Sequence, residues 1–249
     1  MKHGYLRLFT VLVLAGAPTA AMAAILGSAQ QFGVLGATTV TNTGLSTVGG
    51  DLGVWPGTAI TGFPPGVVDG TMHSASPEAQ QAQLDSAVAY ANLAAMVFDT
   101  SLTGQDLGGL TLTPGVYNFS SSAFLTGTLT LDAQGDPNAL FVFQMGSTLI
   151  TASDSEVLII NSGSDCNVYW QVGSSATLGT GTEFQGNIVA LTSITMTTNA
   201  TLMGRAIALN AAVTMDTNAV TPGCIPAPGA SLALIAAVAG ASVTRRRRA

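Results

Sequence analysis

Basic side chains are nearly absent from the middle of this 249-residue chain. Six of the seven Lys and Arg residues are Lys2, Arg7 and Arg245 to Arg248, which leaves Arg205 alone between residues 24 and 224. That segment holds all thirteen Asp and Glu residues, so its formal charge is −12. Such a surface repels phosphate backbones and excludes a nucleic-acid-binding role. Histidine is equally scarce, with His73 the one copy outside the first residues. Without a nucleophile and base, a metal cluster or a phosphate cradle, no catalytic role is expected. Asp51, Asp132, Asp136, Asp154, Glu156 and Asp165 fall in no repeated ligand register, and no cofactor or metal is expected. The two cysteines, Cys166 and Cys224, suit either one disulfide tying the last part of the body back to its middle or two buried thiols.

The ends differ in character from the body. Residues 1–23 combine Lys2 and Arg7 with an apolar run from Leu8 to Ala15 and the triplet Ala21-Met22-Ala23, the pattern of a cleaved secretory signal. Residues 225–249 run from Ile225-Pro226-Ala227-Pro228-Gly229 through the apolar stretch Ala230 to Val243 to Arg245-Arg246-Arg247-Arg248. Arginines beside an apolar segment are held on the cytoplasmic side, which places the body outside the cell membrane. This tail resembles the PEP-CTERM sorting signal of bacteria, with Pro226-Ala227-Pro228 standing where that signal has Pro-Glu-Pro. The resemblance implies a membrane and a sorting enzyme as partners of the tail; a plain membrane anchor is the alternative.

Between the ends, residues 24–224 suit one domain. Abundant Gly, Thr, Ser, Val and Leu point to many short strands. One helix interrupts them, over about residues 77–98. Ser76 is a capping residue, Pro77 suits the first helical position and Glu78 the first turn. Leu84, Val88, Ala91, Ala95 and Phe98 recur at helical spacing and form the expected buried stripe.

After the helix the chain repeats a tripeptide with threonine at its centre. The threonines are Thr111, Thr130, Thr148, Thr177, Thr195 and Thr214, spaced 19, 18, 29, 18 and 19 residues apart. A period near 18, built of short strands and turns, is one coil of a triangular β-solenoid, here of about six coils in an all-β-dominated fold. Side-chain alternation turns the flanking apolar residues inward and the threonines outward, so the six are expected in one exposed column. Phe141-Val142-Phe143, Val168-Tyr169-Trp170, Ile188-Val189-Ala190 and Ala206-Ile207-Ala208 are apolar at consecutive positions and are expected beneath the helix.

Two long stretches carry a family resemblance. Gly115-Val116-Tyr117-Asn118-Phe119 through Gly127 to Gly135 and on to Ala139 to Gln144 is one, and Cys166 to Gly173 with Gly186 to Thr195 is the other. Together they resemble the secreted ice-binding proteins of cold-adapted bacteria, diatoms and snow-mould fungi, over nearly all of residues 25 to 222. The resemblance implies a discontinuous β-solenoid with a helix alongside, closed by N-terminal strands from Gly36 to Pro65, and a monomer whose partner is the ice crystal surface or ordered water. It also implies an ice-binding motif of Thr, Ala or Gly, any residue, then Thr or Asn. Thr180-Gly181-Thr182-Glu183 departs from it at the fourth position and Thr198-Asn199-Ala200-Thr201 at the second, while Thr217-Asn218-Ala219-Val220 keeps the first threonine. The expected ice-contacting set is therefore the six column threonines with Thr180, Thr182, Thr198, Thr201 and Thr217. A structural or adhesive protein of the extracellular matrix is the alternative.

Overall fold

A computed structural model describes residues 25–224; the expected signal segment and C-terminal tail lie outside the described residues. The chain winds into parallel coils, each visiting three faces of a triangular section. Two of the faces belong to one fifteen-stranded sheet and the third is a separate seven-stranded sheet.

The helix Pro77–Ala95 covers the first face. Beneath it lie Gly115–Phe119, Phe141–Met145, Val168–Val172 and the second halves of Glu183–Ala190 and Thr201–Ala208, followed by Phe32–Gly36 and Asp51–Val54. Val142, Tyr169, Val189 and Ile207 point up into the helix layer while their neighbours point into the solenoid, as the consecutive apolar runs imply. Inside, Tyr117, Phe143, Trp170 and Phe184 form a row with ring centroids 5.4, 4.0 and 4.8 Å apart. Such pairs contribute about 0.5–1.5 kcal/mol each beyond their buried area.

Two of the strands turn a corner of the triangle without breaking. Gly186 and Gly204 make this possible, with φ of +112° and +145°. A Cβ on Gly186 would meet Trp170 Nε1 at 2.7 Å, and one on Gly204 the carbonyl oxygen of Gly186 at 2.0 Å.

The solenoid is discontinuous in sequence. The coil formed by Phe32–Gly36, Thr39–Thr43 and Thr47–Val48 stacks on the last C-terminal coil, and Asp51–Val54, Ala59–Thr61 and Val67–Val68 form the next. The N-terminal strands thus extend the expected stack of about six coils by two more turns. The helix then carries the chain back along the stack, about 28 Å for nineteen residues.

Ser76 caps the helix, accepting a hydrogen bond from the Ala79 amide at 3.3 Å. Its first turn carries Glu78, whose carboxyl is held below the ordinary range by the hydrogen bond with Ser76. The helix ends at Ala95, short of Phe98, where Met96 turns extended. Gln144 Nε2 there donates to the carbonyls of Leu93 and Met96, both at 2.8 Å, adding to the bond that Leu93 accepts from the Met96 amide at 3.4 Å.

The expected buried stripe is corrected. Leu84 and Val88 are 49% and 61% exposed, whereas Ala79, Ala82, Ala89 and Leu93 are buried with Gln83 and Ser86. Small residues let the helix settle closely on a sheet whose side chains already fill the gap. The two buried polar groups are satisfied, Gln83 Nε2 by the Ala208 carbonyl at 3.1 Å and Ser86 Oγ by the Ala82 carbonyl at 2.7 Å.

Candidate functional site

Of the two uncovered faces, the seven-stranded sheet carries less charge on its strands. Its order is Ala123–Leu125, Leu149–Thr151, Ala176–Leu178, Ile194–Met196, Val213–Asp216, Thr39–Thr43 and Ala59–Thr61. Asp216 is the one charged residue within these seven strands. Alternation buries Ile194, Met196, Val213 and Met215 and turns their central partners outward.

The outward central positions stand in register as Phe124, Ile150, Thr177, Thr195, Thr214, Thr41 and Thr61. Five consecutive strands thus present threonine, and the full column runs about 29 Å at the strand spacing of ~4.8 Å. A second outward column lies two residues earlier on each strand. In it Thr148 Oγ1 donates to Ser122 Oγ at 2.8 Å and Ser193 Oγ to Ser175 Oγ at 2.9 Å, and Thr39 continues the row.

The expected single column of six threonines is therefore divided. Thr177, Thr195 and Thr214 share the central column of this face, and Thr148 belongs to its flanking column because Ile150 pairs with Thr177. Thr111 and Thr130 pair with each other on the third face, where Thr130 faces Leu158. Each coil carries strands on two uncovered faces, and a spacing near 18 or 19 does not distinguish a return to the same face from a step to the next. Thr201 also lies on the third face, opposite Glu183 and Ala219. That face is less suited to a uniform contact: Glu156 and Glu183 stand side by side, and Met203 is 50% exposed.

The motif threonines sit at the turn between these two faces. Asp154, Gly181, Asn199, Thr217 and Gly44 all have φ between +53° and +81° there. The first four donate their amides to the carbonyls of Thr180, Thr198, Asp216 and Thr43 at 2.8 to 3.2 Å. The second motif position is thus a left-handed turn, a backbone reason for glycine or asparagine. Thr217 stacks on Asn199 and not on Thr198, one residue out of the expected alignment. Thr180 and Thr198 are exposed at the edge, the latter donating to Asp216 Oδ2 at 2.5 Å. Thr182 is fully buried, its hydroxyl shared with Thr151 Oγ1 at 2.8 Å and the Ala152 carbonyl at 3.2 Å, so it is removed from the contact set.

Thr41 and Thr61 were absent from the expected set although they complete the column. Their local signal was legible, since Thr39-Val40-Thr41 and Ala59-Ile60-Thr61 each set a threonine beside an inward apolar residue.

Cys166 and Cys224 are joined in a disulfide with Cα atoms 5.9 Å apart. Among the described residues no group of three His, Cys, Asp or Glu side chains is placed to hold a metal ion.

These features define a class: a parallel, discontinuous β-solenoid with one packed helix and one flat hydroxyl-bearing face. The Ice-binding-like family profile matches residues 34–221, and the chain belongs to that family. It is 58% identical over 226 residues to the ice-binding protein of Nostoc sp. (strain HG1), covering 87% of this chain and 84% of that protein. It is 33% identical to ice-binding protein 1 of Shewanella frigidimarina (strain NCIMB 400), over 85% of this chain but 27% of that longer protein. The crystal structure of an ice-binding protein from an Antarctic biological consortium superposes with a TM-score of 0.78 at 46% identity, covering 88% of this chain and 96% of that one.

Proposed function

We propose that this protein is an exported, non-enzymatic ice binder that adsorbs to ice through the seven-stranded face. The observation that carries the reading is the register of Thr177, Thr195, Thr214, Thr41 and Thr61 on five adjacent parallel strands. Hydroxyls and methyls then repeat at about 4.8 Å across strands and about 6.6 Å along them. These repeats lie near lattice spacings of ice, so water ordered on the face can join the crystal. The backbone ladder and the buried apolar layer hold the side chains in place before contact, which lowers the ordering cost of binding. Phe124 and Ile150 continue the face with apolar groups, and its one charged side chain, Asp216, sits at the edge, where it accepts from Thr198 and Thr217.

Residues 1–23 read as the export signal and residues 225–249 as the sorting or anchoring tail, which supports action outside the cell. The ice reading is tested by thermal hysteresis and crystal shaping with the purified protein. Faceted crystals and a freezing point held below the melting point are expected; crystals that grow as in buffer would favour the matrix-protein alternative.

A further inference from the structure

The two ends of the folded body meet at one corner of the triangle. Gln30, just before the first strand, and Cys224, the last described residue, both accept hydrogen bonds from Arg205. Arg205 is 1% exposed and also donates to Asn187 Oδ1 at 2.8 Å. Cys224 is bonded to Cys166, and the Gly223 amide donates to Asp165 Oδ2 at 2.9 Å. Asp165 and Cys166 precede Val168–Val172 of the helix face, and Cys224 follows Ala219–Val220 of the third face. The corner shared by those two faces is the one opposite the seven-stranded face.

We infer that this corner is the attachment side of the protein, so that a copy held in a lipid bilayer by the apolar segment 230–243 carries its threonine face away from the bilayer. The inference rests on the reading of that face as the ice-contacting one. The exit is fixed on three sides, covalently by Cys166 and through hydrogen bonds by Arg205 and Asp165. Only residues 225–229 separate it from the apolar segment, and two of these are proline. Five residues reach at most about 18 Å. A linker this short keeps that corner nearest the bilayer, with the seven-stranded face on the far side of the section. The charge of −12 on residues 24–224 further repels the body from anionic headgroups. Anchoring at the corner thus leaves the hydroxyl columns facing the medium, where a crystal would meet them.

Energy transfer on the full chain tests this. The chain is reconstituted through its tail into phosphatidylcholine–phosphatidylglycerol vesicles carrying a headgroup acceptor dye. A donor is coupled to a clickable residue at Ser162, exposed on the same corner, or at Thr195. Strong transfer from position 162 and loss of most of it at position 195 are expected. Equal or stronger transfer from 195 would overturn the orientation, and failure of the chain to float with the vesicles would overturn the anchoring. Neither readout involves ice, so a failed orientation is distinguishable from a failed ice reading, which thermal hysteresis reports separately.

Discussion

Thr41 and Thr214 are 173 residues apart in the chain, yet they pair in register on adjacent parallel strands with their hydroxyl oxygens 3.4 Å apart. This contact joins the N-terminal coil to the last C-terminal one and makes a single face of two separate stretches of sequence. Replacing Thr41 by Tyr raises a ring above that face. Thermal hysteresis should fall sharply, while denaturant midpoints should change by no more than about 0.5 kcal/mol in stability, as for other outward positions. Unchanged hysteresis would remove the N-terminal strands from the contact surface.

Glu156 and Glu183 stand opposite each other on the third face, and like charges so placed destabilise a sheet. Glu183→Thr should stabilise the protein by about 0.2–1 kcal/mol in urea unfolding. It also completes the family-like motif at residues 180 to 183. Because position 183 is off the seven-stranded face, thermal hysteresis should stay at its original level; a large gain would mean that the third face takes part.

The short helix Gly27–Gln31 is tied to the long one through Asp85, which accepts from Ser28 N at 2.8 Å, Ser28 Oγ at 2.7 Å and Gln81 Nε2 at 2.8 Å. Burial pushes the Asp85 carboxyl up, but these hydrogen bonds outweigh it and leave it below its ordinary value of 3.8. A depressed folded-state value means that the contribution is present above the unfolded value and is lost as pH falls through the folded one. Melting temperature against pH should therefore show Asp85→Asn less stable than the original protein at neutral pH, with the gap closing below about pH 4. A gap that widens on acidification would contradict this assignment.

The Cys166–Cys224 bond closes a loop of 58 residues in sequence. Replacing both cysteines by serine should cost about 2–4 kcal/mol, largely by freeing the unfolded chain. Hysteresis measured near freezing, where the fold still holds, should persist because the bond lies at the corner opposite the contact face.

Much of this architecture was legible because it depends on local alternation and period. Ser76 and Pro77 marked the start of the helix, and the doubly apolar runs at Val142, Tyr169, Val189 and Ile207 marked the strands beneath it. What escaped depends on contacts that no local pattern encodes. Leu84 and Val88 have the spacing of a buried stripe, but Val142, Tyr169, Val189 and Ile207 fill the gap below the helix and leave room for alanine instead. Thr130 and Thr177 share a tripeptide pattern and lie on different faces, because each coil carries such strands on both uncovered faces. The alternation around Thr41 was legible, but its place in the column comes from a pairing across nearly the whole body.

Thermal hysteresis of Thr195→Tyr, set beside Thr198→Tyr and Thr201→Tyr, tests the central claim most directly. Thr195 is the middle of the threonine column, flanked by Thr177 and Thr214, and its side chain points outward while Met196 is buried. The ring should hold ice off its neighbours and remove most of the hysteresis with stability changed by about 0.5 kcal/mol or less. Met196→Tyr, by contrast, should destabilise by about 1–3 kcal/mol through overpacking. Thr201→Tyr should leave hysteresis nearly intact, and Thr198→Tyr, at the edge of the face, should lower it less than Thr195→Tyr. Full activity in Thr195→Tyr together with its loss in Thr201→Tyr would contradict the account and move the contact to the third face.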